Sequence, residues 1–235
     1  MKNNRLILSA LLLLGLGLTG IQEQQNNVKK TVGANITDID GNVYHTVTIG
    51  TQTWMAENLK TTRYRNGDAI GTTSLATFDK SSERTPKYQC PYAGKESMVA
   101  TYGRLYTWYA LTDNRKVCPT GWHVSTDAEW TTLVKFLSSN KIALGKLKDG
   151  DTWQWKSPNK GATNNRGLPV LPAGNILGDL FIVNGEGGHY WTATESVADT
   201  LAWRWLVIGD VVQRGDCAKG CGRVVSNYAK RETLT

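Results

Sequence analysis

The chain has 235 residues, a formal net charge of +7, 40% hydrophobic residues and 24 glycines. That length carries one domain with a real core plus short appendages, and so many glycines among short apolar runs exclude a fold built on long helices. The basic residues are scattered, which reads as a solvated surface and not as a nucleic-acid face.

Lys2 and Arg5 form a positive n-region ahead of residues 6–18, which are almost wholly apolar but short for a membrane span. Residues 1–22 therefore read as an export signal, with cleavage between Gly20 and Gln24 and no stable membrane insertion afterwards. Leu18-Thr19-Gly20 begins a lipobox, but Ile21 stands where the lipidated cysteine would be, so an exported protein is expected and not a lipoprotein. Without Lys2 and Arg5, 25 basic residues face 20 acidic ones, a net charge near +5. Residues 23–34 are polar and aperiodic and read as a linker.

Asp40-Gly41 is a tight-turn dipeptide between Ile36/Ile39 and the alternating Val43, His45, Val47 and Ile49. A second turn at Gly50-Thr51 leads to Gln52-Thr53-Trp54-Met55, predicting a small antiparallel sheet with Trp54 in the core. Residues 60–98, mixed and rich in Thr, Ser, Lys and Gly, read as a long surface excursion with little regular structure. Residues 102–111 are predicted to form a first helix, with Leu105, Trp108 and Tyr109 on one face.

The stretch Cys118-Pro119-Thr120-Gly121-Trp122-His123-Val124-Ser125-Thr126-Asp127-Ala128-Glu129-Trp130 reads as a turn feeding a second helix over 126–139. Pro119 and Gly121 punctuate the turn, and Trp122 and Val124 anchor it. Thr126 caps the first amides of the helix, while Glu129 reaches back to the cap amide. Asp127 adds negative charge at the positive helix end. Trp130, Leu133, Val134 and Leu137 then recur at helical spacing, so one face is buried.

From Leu144 the chain is loop-rich, with Trp153 and Trp155 alternating around Gln154 as a short strand or a loop pinned by two rings. Residues 190–194, 202–208, 211–213 and 223–226 are β-prone, and Gly209-Asp210 is a tight turn between the second and third. No internal repeat is visible, so residues 35–230 form one domain with a tail at 231–235.

Nine Trp and nine Tyr against three Phe suit an irregular core, and equally a surface that stacks on sugars. Trp153, Trp155 and Tyr190 are the candidate ligand-binding rings. His45, His123 and His189 lack metal-ligand spacing, so no metal or other cofactor is expected, and His123 reads as a structural imidazole bonding the backbone of its turn. Glu195 and Arg204, on successive strands, are expected to face each other as a fold-specifying ion pair. Arg214-Gly215-Asp216 matches an adhesion tripeptide and is expected on a loop, a solvated turn being the plainer reading. Four Cys in an exported chain suggest disulfides, with three pairings open.

The Cys118–Trp130 stretch has the form C-P-x-G-W-H-x-x-[ST]-D-x-E-W. Around it stand Asp38-Ile39-Asp40-Gly41-Asn42-Val43-Tyr44, Gln52-Thr53-Trp54-Met55-Ala56-Glu57-Asn58-Leu59 and Tyr102-Gly103-Arg104-Leu105-Tyr106-Thr107-Trp108-Tyr109-Ala110. Later come Gly161-Ala162-Thr163-Asn164, Gly167-Leu168-Pro169-Val170-Leu171-Pro172-Ala173-Gly174 and Trp191-Thr192-Ala193-Thr194-Glu195. In this order they resemble the Fibrobacter succinogenes major paralogous domain, a family of secreted bacterial modules. The resemblance implies a loop-rich α+β, C-type-lectin-like fold with two helices packed on twisted antiparallel sheets, related to the formylglycine-generating enzyme domain. It names no activity.

Members of that family end in a strand containing Ser-Val-Arg-Cys-Val, whose Cys is implied to pair with the Cys of the C-P-x-G-W motif. Here Asn227 falls at that position, so Cys118 must find Cys90, Cys217 or Cys221, or stay free. The expected pairs are Cys90 with Cys118 and Cys217 with Cys221, the latter clipping a hairpin tip. The calcium-dependent sugar tripeptides of lectins are absent from the sequence, so any sugar would be held by Trp or Tyr stacking with Asn and Asp bonding hydroxyls. These readings converge on an exported, non-enzymatic binding module for a surface glycan or a cell-surface protein. One rival is a structural subunit of an extracellular assembly. Another is a copper oxidase like the formylglycine-generating enzymes, using Cys217 and Cys221.

Overall fold

In a computed structural model, the structure describes residues 35–74, 83–137, 170–177, 180–182, 187–208, 211–219 and 229–231. The turn dipeptides of the first strands act as the sequence predicts. β1 (Ile36–Thr37) and β2 (Val43–Tyr44) pair antiparallel around Asp40-Gly41, and β3 (Thr46–Ile49) and β4 (Gln52–Met55) pair around Gly50-Thr51. Trp54 is fully buried.

The stretch after residue 60 differs from the expected surface excursion. Tyr64, Ile70, Cys90 and Tyr92 are buried. β5 (Gly71–Thr72) runs parallel to β6 (Tyr88–Pro91), which in turn pairs antiparallel with β7 (Arg104–Tyr106). Apolar side chains spaced irregularly among polar ones escape a periodicity test, yet they fill the core once β6 becomes the middle strand.

The expected helix over 102–111 is in fact three elements: α1 (Val99–Tyr102), β7, and α2 (Trp108–Leu111). The break is at Gly103. Its φ is +74°, and a Cβ there would lie 2.6 Å from Asn58 Cβ and 2.7 Å from the Leu59 carbonyl oxygen. Only glycine fits that approach, and the chain leaves it as a strand.

β8 (Trp122–Val124) leads into α3 (Asp127–Phe136), the helix the capping residues announce. Glu129 N donates to Thr126 Oγ1 and Thr126 N donates to Glu129 Oε2, a complete capping box. Downstream, β9 (Asn175–Leu177) pairs with β10 (Leu180–Ile182). β11 (Gly187–Val197), β12 (Leu201–Ile208) and β13 (Val211–Ala218) form an antiparallel sheet in that order. The Gly209-Asp210 turn and the expected strand at 223–226 lie outside the described residues.

The closing strand is β14 (Ala229–Arg231). It sits between β4 and β8, with Lys230 opposite both Trp54 and His123, so the two ends of the domain meet in one four-stranded sheet. The core gathers at Trp130. Its ring lies 5.6 Å from Trp54, 5.5 Å from Tyr190 and 6.0 Å from Trp205, and its Nε1–H donates to Ser125 Oγ at 2.9 Å. One indole thereby joins α3 to the N-terminal sheet and to the β11–β12 pair, with its polar edge satisfied. The chain is a mixed α+β protein, mostly strands in small sheets with short helices.

Candidate functional site

The C-P-T-G-W-H turn is held from outside by one arginine. Arg65 Nε donates to the Cys118 carbonyl at 3.0 Å, and Nη2 donates to those of Pro119 and Trp122 at 2.9 and 3.2 Å. Its backbone N–H donates to Lys116 O at 2.8 Å. Four loop carbonyls are thus satisfied by one residue, which a planar fork of donors can do. Sequence reading missed Arg65, because it stands in an aperiodic run 50 positions and more from its partners.

Beneath that turn opens a cleft of about 290 Å³. Leu111, Val117, Trp122, Val124 and Ala193 form its apolar walls, and Thr112, Asp113, Lys116, His123 and Thr126 its polar ones. Asp113 is buried and already engaged. It accepts from Arg115 N and Nε, both at 2.9 Å, from Arg115 Nη2 at 3.0 Å, and lies 2.7 Å from Lys87 Nζ. The Arg115 bonds hold its carboxyl well below the usual range, against the opposing effect of burial. His123 Nε2 lies 3.1 Å from each Glu129 oxygen. The imidazole therefore bonds the carboxylate of the capping box and not, as expected, the backbone of the turn. Lys116 stands exposed at the rim with φ +61°, left-handed for a residue other than glycine.

Other expected site residues go elsewhere. Tyr190 is 0% exposed, and its hydroxyl donates to Leu171 O at 2.9 Å, so its ring face is packed on Trp130 and closed to a sugar. Trp153 and Trp155 lie outside the described residues. Arg214-Gly215-Asp216 is not on a loop but inside β13. Arg214 stacks 3.4 Å from the Trp203 ring centroid and forks onto Asp127, with Nε to Oδ1 at 2.8 Å and Nη2 to Oδ2 at 2.7 Å. Trp205 Nε1 donates to the same Oδ1, and Ser196 Oγ donates to Asp216. An arginine committed to an α3 carboxylate pins the sheet to the helix and is not presented as an adhesion tip.

Glu195 and Arg204 do not face each other. The turn at residues 198–200 and bulges between Trp191 and Val197 set the register so that Glu195 lies opposite Ala202 and Arg204 opposite Trp191. Arg204 Nη1 meets His189 Nδ1 at 3.2 Å, and Glu195 instead accepts from Lys219 Nζ at 2.5 Å. That bond lowers the Glu195 carboxyl. Lys219 is only 1% exposed, with its ammonium 4.5 Å from the Trp108 ring centroid.

The cysteine pairing also differs. Cys90, Cys118 and Cys217 are buried, and no disulfide joins any of them. Cys90 is packed on β6 opposite Leu105, and burial pushes its thiol up to about 12, so it behaves as a small core side chain. Cys217 belongs to the main hydrophobic core, and Cys221 lies outside the described residues. Among the described residues no group of three or more His, Cys, Asp or Glu is placed to hold a metal ion, and no helix is long and apolar enough to cross a membrane.

Against known proteins, residues 47–230 match the Fibrobacter succinogenes major domain. No curated protein matches the chain. No solved structure matches it either.

Proposed function

The chain belongs to the Fibrobacter succinogenes major domain family, and from that premise we propose that it is an exported, non-enzymatic module that binds a surface glycan or a cell-surface partner. The observation that carries this reading is the cleft at the family's own turn. Its volume of about 290 Å³ stands at the lower end of small-ligand sites, which span roughly 300–1,000 Å³. That suits one ring-sized terminal group of a longer polymer. Apolar walls with a few polar groups at the rim are the composition such sites need, and the Arg65 clamp gives the loop a preformed shape.

Export is supported by the Lys2/Arg5 n-region and the apolar run that follows. Edman or mass-spectrometric reading of the mature N-terminus tests it, and a retained Met1 would count against it. A C-type-lectin-like fold is supported by β14, which joins the end of the domain to its first sheet as such folds do. The copper-oxidase alternative draws no support from Cys217, which is packed in the core where an oxidase would need it accessible.

A glycan array together with pull-downs on host and bacterial surfaces tests the binding reading. Retention of a defined set of glycans or one surface partner is expected. Silence on every surface, with concentration-dependent oligomers in sedimentation, would replace it with the structural-subunit reading.

A further inference from the structure

Lys116 is a costly residue in its position. A left-handed backbone disfavours any side chain with a Cβ, and glycine or asparagine would sit there more cheaply. The conformation is locked on both sides, since Lys116 N donates to Asp113 O and Lys116 O accepts from Arg65 N. The ammonium at the cleft rim makes no ion pair with a described residue. Asp113, which lines the same cleft, is committed to Arg115 and Lys87, and Glu129 to His123 and the Thr126 amide. A cation kept at a strained position, with these acids committed elsewhere, is arranged to meet a negative charge from outside.

His123 adds direction. A carboxylate only accepts, so Nε2, 3.1 Å from both Glu129 oxygens, carries the proton in the neutral ring. Nδ1 is then a bare acceptor with no partner among the described residues. A bare acceptor suits a hydroxyl and repels a carboxylate. The cleft therefore asks for an anion at Lys116 and a hydroxyl at His123, and Trp122 and Val124, which line it too, offer an apolar surface for C–H groups.

Resting on the cleft as the ligand site, we infer that its ligand is an acidic saccharide, a uronic-acid-type ring whose carboxylate meets Lys116 and whose hydroxyl donates to His123. A polymer of such rings would engage the cleft by one terminal unit, given its volume.

The test uses the full mature chain in NMR titrations with methyl β-glucuronide, methyl β-glucoside and acetate, reading amide shifts at Val117, Trp122 and Val124. The glucuronide is expected to bind about tenfold or more tighter than either other probe, the ratio a charge-assisted hydrogen bond provides. Lys116→Gln should bring glucuronide and glucoside to within about twofold, while Lys116→Arg keeps the ratio, both variants melting like the parent. Equal binding of glucoside and glucuronide would overturn the acidic ligand and leave a neutral-glycan site standing. Acetate binding as well as the glucuronide would overturn the saccharide and leave a bare carboxylate site. No cleft shift with any probe would overturn the cleft itself, and an unchanged ratio in Lys116→Gln would overturn the role of Lys116.

Discussion

Lys116 and Arg65 act on the same loop to different ends, one strained and facing outward, the other spent on carbonyls. If the strain at Lys116 is the cost of holding a cation at the rim, Lys116→Gly should raise stability by about 1 kcal/mol, seen as a higher midpoint in urea, while acid selectivity falls. Asp40 shows the opposite economy. Burial pushes its carboxyl up, but the Thr62 amide, Arg63, Thr61 and Thr62 hydroxyls outweigh that and bring it down to about 2. A carboxylate with a depressed folded pKa contributes stability above its unfolded value of 3.8 and loses it as pH falls towards about 2. Melting curves between those pH values should therefore show a steeper decline for the parent than for Asp40→Asn. Identical slopes would mean that the network around Asp40 does not hold in solution.

At the scale of elements, what could be read in the sequence was what is decided locally. The hairpins around Asp40-Gly41 and Gly50-Thr51 and the α3 capping box depend on residues two to four apart, and they stand as expected. Thr126→Ala should cost about 1 kcal/mol in chemical unfolding, and a change of only a few tenths would mean the box adds little. Elements set by distant contacts were not legible. Nothing near Gly103 announces that Asn58 and Leu59 will press against it and divide a helical pattern into α1, β7 and α2. Bulges in β11 moved Glu195 away from Arg204 to Lys219, and Arg214-Gly215-Asp216, expected on a loop, lies where β13 runs straight through. Of the cleft, the turn residues Trp122, His123 and Thr126 were singled out. Thr112, Asp113 and Lys116 were not, because they precede the turn in a run with no periodicity or motif to mark them.

The whole molecule is organised on Trp130 and closed by β14, so stability is shared between the first sheet, α3 and the β11–β13 sheet. Removing the indole by Trp130→Ala should cost about 3–5 kcal/mol and unfold the first sheet and the β11–β13 sheet together in one transition. Two separated transitions would show that the sheets are independent units. That shared core is what gives the cleft fixed walls, since Val124 and Ala193 reach it from β8 and β11. The central claim, that this cleft is where the protein meets its ligand, is tested most directly by filling it. Thr112→Phe enlarges a side chain that lines the cleft and leaves Trp122 and the Arg65 clamp unsubstituted. On the same glycan array, with melting temperatures matched, the parent should retain its ligands and Thr112→Phe should lose them by about tenfold or more. Equal retention by both proteins would place the binding surface elsewhere and contradict the account.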